Sequence, residues 1–488
     1  MSDILTQLAD LDLLRDVPPG IETIRIEGVT DDSRLAEPGW LFCAMSGGSF
    51  DGHDFLGRAA HGGAAVALVE QRRERPGLPQ VVVSDSRAAA ASAAAVFFAH
   101  PWGSMRTVAV TGTNGKTTTV AMLHHLLGAL GRTGSIGTLG AIDPSGETLA
   151  GSEGLTTPGA VDVARWFAAL RERGAQAVAM EASSHALHQG RLGEARFDVV
   201  IFTTFSRDHL DYHPTMEEYR AAKLRLLEHL KEDGTVVLNA DDPAWVGIST
   251  DSTVSYGLER EADVFATGLE QSPAGITFRL HLSDGEYAGR LPLIGRHNVS
   301  NALAAAATLH ALGTPGGVVA ERLATLAQIP GRLERVAAPE ARATVLIDFA
   351  HTPDALRGCM AALRPITEGR LIAVFGAGGD RDPGKRPEMG AAVAEGADFA
   401  IVTSDNPRSE SPERIAEEIE AGMGDAPFER ILDRRAAIAA ALEMSGPGDV
   451  VLLAGKGHER YQETAGVKQP FDERDVVADA IAGLAETR

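Results

Sequence analysis

Cysteine is almost missing from this chain. Cys43 and Cys359 are the only two in 488 residues, too few for a disulfide framework and in keeping with a reducing cytosol. Positive charge is also short. Lys and Arg number 45 against 67 Asp and Glu, a net charge of −22, which argues against nucleic acid or an anionic membrane as partner. Long apolar runs are absent: the most apolar stretch, 88–99, is alanine-rich and too short to span a bilayer, so it reads as a core helix. Residues 1–16 have no basic start and no long apolar run, so no signal peptide is read, and a cytoplasmic protein without membrane insertion is expected. The sequence holds no Asn-Lys-x-Asp guanine-reading motif, no low-complexity tail and no repeat. Lysine itself is sparse. It supplies six of the 45 basic side chains, and Lys116, Lys223, Lys385 and Lys456 fall in motif-like stretches. A chain that so prefers arginine keeps lysine where a compact or titratable amine is needed.

What is present is ample for packed cores, with 44% hydrophobic residues over a length that suggests roughly three domains. The stretch that organises the rest is Val108-Ala-Val-Thr-Gly-Thr-Asn-Gly-Lys-Thr-Thr-Thr119. An apolar run, 107–110, reads as a strand, Gly112 to Gly115 as a turn, and 117–130 as a helix. That order is a phosphate-binding loop in a shortened form, Gly-x-x-Gly-Lys-Thr. Backbone N–H groups of Gly112, Thr113, Asn114, Gly115, Lys116, Thr117 and Thr118 would face nucleotide phosphates, Lys116 would add a point charge, and the Thr117 hydroxyl could ligate Mg²⁺. ATP is the expected co-substrate.

Residues 1–102 read as a small α/β domain with short strands near 24–26, 40–44, 65–69 and 81–83. Its polar loops, Asp31-Asp-Ser33-Arg34 and Ser46-Gly-Gly48-Ser49-Phe50-Asp-Gly52, either turn the chain or hold a phosphate or uracil ring. Residues 100–103 read as a hinge. Residues 103–330 alternate strand and helix, the pattern of a parallel sheet covered on both faces. Ligands of such sheets lie beyond the carboxyl ends of the strands. Glu181-Ala-Ser183-Ser-His185 and Ser206-Arg-Asp-His209-Leu-Asp211 follow strands at 177–180 and 198–204, and Thr156-Thr157-Pro158 opens another segment. Taken singly, Glu181 and His209 could be structural; together beside the loop they suggest a metal–phosphate site. Lys223 fills a slot in an apolar seam of Met216, Tyr219, Leu226 and Leu230 on a helix expected over 214–230. It either snorkels over apolar surface or is a buried amine of lowered pKa, able to add CO₂ as a carbamate that ligates a metal. Residues 331–488 repeat the α/β pattern. Four strands there end in polar loops: Ala350-His-Thr-Pro-Asp354, Gly376-Ala-Gly-Gly-Asp-Arg381-Asp382, Ser404-Asp405-Asn406-Pro407-Arg408 and Ala454-Gly455-Lys-Gly-His-Glu459.

Seven motifs in order carry a resemblance over the whole chain to the Mur ligases of peptidoglycan synthesis. They are the phosphate loop, Glu181-Ala-Ser-Ser-His, Ser206-Arg-Asp-His-Leu-Asp-Tyr-His, Gly295-Arg-His-Asn298-Val-Ser-Asn301, Pro330-Gly-Arg332-Leu-Glu334, Asp348-Phe-Ala-His-Thr-Pro-Asp354 and Asp405-Asn-Pro-Arg408. His297 and Phe349 depart from the residues frequent at their places. The resemblance implies an α/β protein of three domains: UDP-binding (1–102), a parallel-sheet ATPase with the phosphate loop (103–330), and a Rossmann-like, amino-acid-binding C-terminal domain (331–488). It implies a ligase joining UDP-N-acetylmuramoyl-L-alanyl-D-glutamate to meso-diaminopimelate at the expense of ATP, through an acyl phosphate. A monomer is expected. Mg²⁺, with Mn²⁺ as a substitute, would be held by Thr117, Glu181, His209 and the Lys223 carbamate. Lys116, Glu181, His209 and Lys223 match catalytic positions, and Asn298 and Arg332 match nucleotide contacts. Ser33, Gly48, Ser49, Phe50, Thr156, Thr157, Ser183, Gln189 and Arg191 match positions for the UDP-muramoyl dipeptide. Arg381, Asp405, Asn406, Pro407, Arg408, Gly455 and Glu459 match diaminopimelate positions. Paired guanidinium groups at Arg381 and Arg408 would grip its far carboxylate. The rivals are another ATP-dependent amide ligase, such as a folylpolyglutamate synthase, and a nucleotide-dependent switch.

Overall fold

A computed structural model gives the fold and describes residues 1–488 apart from 48–50, 75–76, 211, 273, 337–342 and 487–488. The chain divides into two compact units. Unit 1 comprises Met1–Phe265, His281–Gly285 and Asn301–Val319; unit 2 comprises Ala266–Leu280, Glu286–Ser300 and Ala320–Arg488.

Unit 1 opens with α1 (Ser2–Asp10), β1 (Leu14–Asp16), β2 (Gly28–Thr30), β3 (Trp40–Cys43), α2 (Leu56–His61), β4 (Val66–Val69), β5 (Gln80–Val83) and α3 (Ser86–Phe97). The strands order as β1-β5-β4-β3-β2, and β2 to β5 are parallel. Successive residues point to opposite faces, so Leu41, Leu68 and Val81 pack on one side and Phe42, Ala67 and Val69 on the other. The strand expected at 24–26 is not formed. Pairing starts at Gly28, where a β-carbon would collide with the Trp40 indole. The alanine-rich stretch is helix α3, capped by the Asp85 carboxylate, which accepts from the N–H groups of Arg87 and Ala88. The segment read as a hinge is buried: Pro101 and Trp102 lie inside, with Trp102 edge-on to Phe167 at 6.1 Å.

The rest of unit 1 is built on β6 (Arg106–Thr111), α4 (Lys116–Leu126), β7 (Thr133–Gly137), β8 (Gly140–Ile142), α5 (Ala160–Glu172), β9 (Ala177–Glu181), α6 (Ser184–His188), β10 (Phe197–Phe202), α7 (Met216–Leu224), β11 (Leu230–Asn239) and β12 (Thr253–Gly257). Their order is β12-β11-β10-β6-β9-β7-β8, parallel except for β8. Because β10, β6 and β9 are adjacent and parallel, their carboxyl ends deliver Phe202, Thr111 and Glu181 to one rim. The helix expected over 214–230 is shorter. It ends at Leu224, a tight turn covers Arg225–His229, and Leu230 pairs with Phe197 to start β11.

The chain continues through β13 (Val264–Ser272), β14 (Gly275–Leu282), β15 (Gly285–Leu291), α8 (Arg296–Ala311) and α9 (Gly316–Ala324). Unit 2 then adds β16 (Glu334–Val336), β17 (Thr344–Asp348), α10 (Pro353–Leu363), β18 (Leu371–Phe375), α11 (Lys385–Gly396), β19 (Phe399–Val402), α12 (Pro412–Glu420), β20 (Phe428–Arg430), α13 (Arg434–Met444), β21 (Val450–Ala454), a hairpin of β22 (Tyr461–Thr464) and β23 (Val467–Pro470), and α14 (Glu473–Glu486). The sheet order is β16-β17-β21-β18-β19-β20, with β17 to β20 parallel. Leu346, Phe375 and Leu452 face α10 and α11, whereas Ile347, Val374 and Leu453 face α13 and α14. Helices on both faces leave the strand ends as the open edge for chemistry. Among the described residues, no helix is long and apolar enough to cross a membrane.

Candidate functional site

The phosphate loop has the geometry its glycines demand. Gly115 caps α4 with φ +88°, a left-handed conformation, and a β-carbon there would strike Asn301 Oδ1. At Gly112 a β-carbon would strike Thr203 Oγ1. The loop is locked from below: Thr113 N–H donates to the Thr204 carbonyl at 2.6 Å, and Thr203 Oγ1 donates to the Asn114 carbonyl at 2.7 Å. Thr113 therefore serves the loop's shape, and the N–H groups at the start of α4 face outward for an anion. Lys116 Nζ donates to the carbonyls of Gly112 (2.9 Å) and Thr113 (2.8 Å).

Lys223 reaches the same loop from α7. Its Nζ donates to the Gly112 carbonyl at 2.7 Å and lies 4.4 Å from the centre of the Tyr219 ring. The side chain is buried at 1% exposure. Burial, then the neighbouring Lys116 charge, hold its pKa well below the usual lysine value, with Asp208 opposing weakly. Burial also pushes the Tyr219 phenol up, so that ring contributes no anion. Of the two sequence readings, snorkelling is excluded, because the amine does not reach solvent.

Glu181 ends β9 and is also buried. Its carboxylate accepts from Thr117 Oγ1 (2.9 Å), Thr138 N–H (2.7 Å) and Thr138 Oγ1 (3.2 Å). Thr138 was not anticipated from sequence, although it follows β7 at the same rim, the signal that marked the others. Its hydroxyl also lies within hydrogen-bond distance of Thr156 Oγ1, at 3.2 Å. His209 sits at φ +54° among rings, edge-on to His185 at 4.7 Å, with Nε2 3.5 Å from Asp208 Oδ2. Among the described residues no three His, Cys, Asp or Glu side chains form a metal-holding group. The expected set is of another kind, because it uses a threonine hydroxyl and carbamate oxygens. The Thr117 hydroxyl and Glu181 carboxylate, 2.9 Å apart at the helix start, are hard oxygen donors that fit Mg²⁺.

Of the residues expected to hold the dipeptide, Thr157, Ser183, Gln189 and Arg191 come together. Thr157 Oγ1 donates to the Glu181 carbonyl (2.9 Å) and accepts from Ser183 N–H (3.0 Å). Arg191 Nε donates to Gln189 Oε1 (2.8 Å), and Gln189 Nε2 donates to the Tyr212 hydroxyl (3.0 Å). Burial lowers the Arg191 pKa, against the opposing Tyr212 hydroxyl and with a smaller contribution from the Arg87 charge. Ser33 lies half-buried in its turn, with Asp32 fixed by Arg34. Gly48, Ser49 and Phe50 lie outside the described residues. A cleft of about 560 Å³ beside the loop is lined by Thr204, Phe205, Arg220, Asn239 and Asp242 among others. Asn239 ends β11, and its polar sequel, Ala240-Asp-Asp242, passed unremarked in the sequence.

In unit 2 the loops after β18 and β19 lie side by side. Gly379 N–H donates to the Asn406 carbonyl at 2.9 Å, and a β-carbon at Gly379 would strike the Pro407 carbonyl. A β-carbon at Gly378 would stand 3.1 Å from Arg408 Nη1 and 3.9 Å from Arg381 Cγ, so both arginines flank that glycine. Arg408 is left-handed (φ +52°), held by donating its N–H to the Glu463 carbonyl, a strained conformation of the kind found at functional sites. The Arg408 guanidinium donates to the Gly379 carbonyl and lies 3.6 Å from Glu463, while nearby Glu410 is paired with Arg386. Asp405, Asn406 and Glu459 surround Lys456 Nζ at 3.4, 3.0 and 3.4 Å, and a β-carbon at Gly455 would sit 3.0 Å from Asp405 Oδ2. Arg332 lies over the Phe349 ring at 5.1 Å, and Asn298 is buried, donating from Nδ2 to the Ile294 carbonyl at 2.7 Å.

Three family models match the chain in succession: "Mur ligase family, catalytic domain" over 25–101, "Mur ligase middle domain" over 110–309 and "Mur ligase, glutamate ligase domain" over 331–457. The UDP-N-acetylmuramoyl-L-alanyl-D-glutamate–2,6-diaminopimelate ligase of Caulobacter vibrioides is 44% identical over 94% of this chain and 96% of its own. A solved structure of an enzyme of the same name aligns with TM-score 0.67 at 33% identity, covering 96% of this chain and 98% of that one. The MurF ligase of Thermotoga maritima, solved in complex with ADP, shares the fold with TM-score 0.66 at 20% identity, over 95% and 99% of the two chains.

Proposed function

The chain belongs to the Mur ligase family, and from that premise we propose that it joins 2,6-diaminopimelate, in its meso form, to UDP-N-acetylmuramoyl-L-alanyl-D-glutamate at the expense of ATP. The D-glutamate carboxylate attacks the γ-phosphorus, the bond to ADP breaks, and an acyl phosphate forms. The amine of the diamino acid then attacks the acyl carbon, inorganic phosphate leaves, and the amine gives up a proton.

The observation that carries this reading is the Gly112 carbonyl, touched by both Lys116 and Lys223. One lysine of the pair supplies charge at the phosphates. The other, a buried amine whose pKa is pushed down by burial and by Lys116, would add CO₂, and its carbamate would join Thr117, Glu181 and His209 as ligand of Mg²⁺, or of Mn²⁺. Bound there, the ion would neutralise crowded phosphate oxygens. Lys116, held on the Gly112 and Thr113 carbonyls, would supply its charge at the phosphates, and positioned charge accelerates phosphoryl transfer. Thr138 ties Glu181 to Thr156, linking the phosphate side of the rim to the residues read as dipeptide-binding. The cleft lined by Phe205 and Asn239 has the size and an aromatic wall for the adenine ring. Asn298 and Arg332, in unit 2, are read as nucleotide contacts from their match to family positions. Arg408 and Arg381 would grip the far carboxylate of diaminopimelate. Lysine lacks that group and would leave Arg408 with only Glu463 and the Gly379 carbonyl as partners, so it should be the poorer substrate. We read the enzyme as cytoplasmic, because ATP is its co-substrate, and as a monomer.

A phosphate-release assay tests the reading. Release is expected only when ATP, the UDP-muramoyl dipeptide and diaminopimelate are all present, and lysine should replace the last poorly. Slow hydrolysis indifferent to dipeptide and amino acid would instead identify a nucleotide-dependent switch.

A further inference from the structure

Lys456 follows β21 and is 0% exposed. A lone ammonium at such a depth would be costly, yet this one is boxed by Asp405 Oδ1 (3.4 Å), Asn406 Oδ1 (3.0 Å) and Glu459 Oε2 (3.4 Å), with the Tyr461 ring 5.8 Å away. The box is closed on itself: Asn406 Nδ2 donates to Glu459 Oε2 at 2.8 Å, and Gln462 Nε2 donates to the Asp405 carbonyl at 2.9 Å. The strand end before it is pinned too. Arg434, buried and paired with Glu473, donates from Nη2 to the Ala454 carbonyl at 2.8 Å. Asp405, Asn406 and Glu459 are among the positions matched above to diaminopimelate and carry the acceptors its far ammonium needs, yet an internal ammonium already stands among them.

We propose that Lys456 is a positioning residue for amino-acid selection, setting the charge and aim of Asp405 and Glu459 so that the pocket accepts a zwitterionic far end and rejects a lone ammonium. The reasoning is a charge count. Two carboxylates and one ammonium leave a net charge of −1, enough to meet the far ammonium while Arg408 and Arg381 meet the far carboxylate. Without Lys456 the same wall carries −2, which favours the side chain of lysine, a single positive charge, over the neutral far end of diaminopimelate. Lys456 also fixes Asn406 Oδ1, which accepts from Glu463 N–H at 2.9 Å next to the segment that holds Arg408.

This inference rests on the amino-acid site proposed above, so the experiment separates the two. The quantity is the ratio of kcat/KM for diaminopimelate to that for L-lysine, measured in wild type, Lys456→Gln, Lys456→Arg and Arg408→Ala. The ratio does not depend on the active fraction, so poor folding of a variant cannot imitate the effect. Lys456→Gln should lower the ratio about tenfold or more, and Lys456→Arg, which keeps the charge, should hold it much nearer to wild type. KM for ATP should stay unchanged in both. An unchanged ratio in Lys456→Gln, or an equal fall in Lys456→Arg, overturns the role of Lys456. If Arg408→Ala alone collapses the ratio, the site stands and Lys456 is merely structural. An unchanged ratio in Arg408→Ala overturns the site itself.

Discussion

Lys223 and Lys456 are buried to the same degree, at 1% and 0% exposure, and their surroundings are opposite. Lys456 sees two carboxylates and an amide oxygen, so its ammonium is paid for. Lys223 sees a carbonyl, an aromatic ring and a second lysine, so its ammonium is penalised by burial and by Lys116 together. Desolvation alone does not decide what a buried lysine does. The sign of its neighbours does: one lysine is an ammonium held in a wall of carboxylates, the other an amine pushed toward its neutral form, as the proposed carbamate requires.

The sharpest way to break the comparison is to delete the reactive amine. Lys223→Ala should lower kcat by about 10³-fold or more, the scale of losing preorganised charge stabilisation at a phosphoryl-transfer site. ATP affinity should change little, and acetate or formate should restore part of the rate by standing in for the carbamate. Full activity in Lys223→Ala would end the carbamate reading. A second measurement sets the two lysines directly against each other. After equilibration with ¹³C-bicarbonate, a carbamate carbon resonance should appear in wild type and in Lys456→Gln and be missing in Lys223→Ala. A resonance that survives in Lys223→Ala and disappears in Lys456→Gln would reverse the assignment.

The smallest effect extends the contrast to a carboxyl group. Asp31 is raised from 3.8 to about 6, chiefly by burial and then by the Asp162 carboxylate, so it too is a buried group beside its own sign. A raised folded-state pKa stabilises the fold fully below about pH 4, and that contribution is lost as pH rises through about 6. Relative to Asp31→Asn, the wild type should therefore lose about 1–3 kcal/mol of stability between about pH 4 and pH 8. Parallel stability curves for the two proteins would show that Asp31 is not held in that state.

Much of unit 1 was legible in the sequence because its signals are local. The loop from Gly112 to Gly115 needs its glycines at fixed offsets, and β6, β9 and β10 announce themselves as apolar runs that end in polar residues. The strand expected at 24–26 was misplaced because partly buried isoleucines also line an irregular segment, and the pairing partner, Trp40, is settled only by tertiary contact. The helix carrying Lys223 was drawn too long because Leu226 and Leu230 keep its spacing, while Leu230 is claimed by β10 as a strand partner. Thr138 carried a weak signal, a hydroxyl after a short strand, and its value appears only once β7 is set beside β9.

The sequence by itself determined the alternation of strand and helix, the phosphate loop and the order of motifs that marks the family. These depend on the spacing of residues along the chain, which a sequence displays. Only the tertiary structure decided the state of the buried charges. It set Lys116 and Lys223 on one carbonyl, gave Glu410 to Arg386 and enclosed Lys456 between Asp405 and Glu459. Electrostatic energy depends on distance and on exclusion of water, and neither is written in the order of the residues.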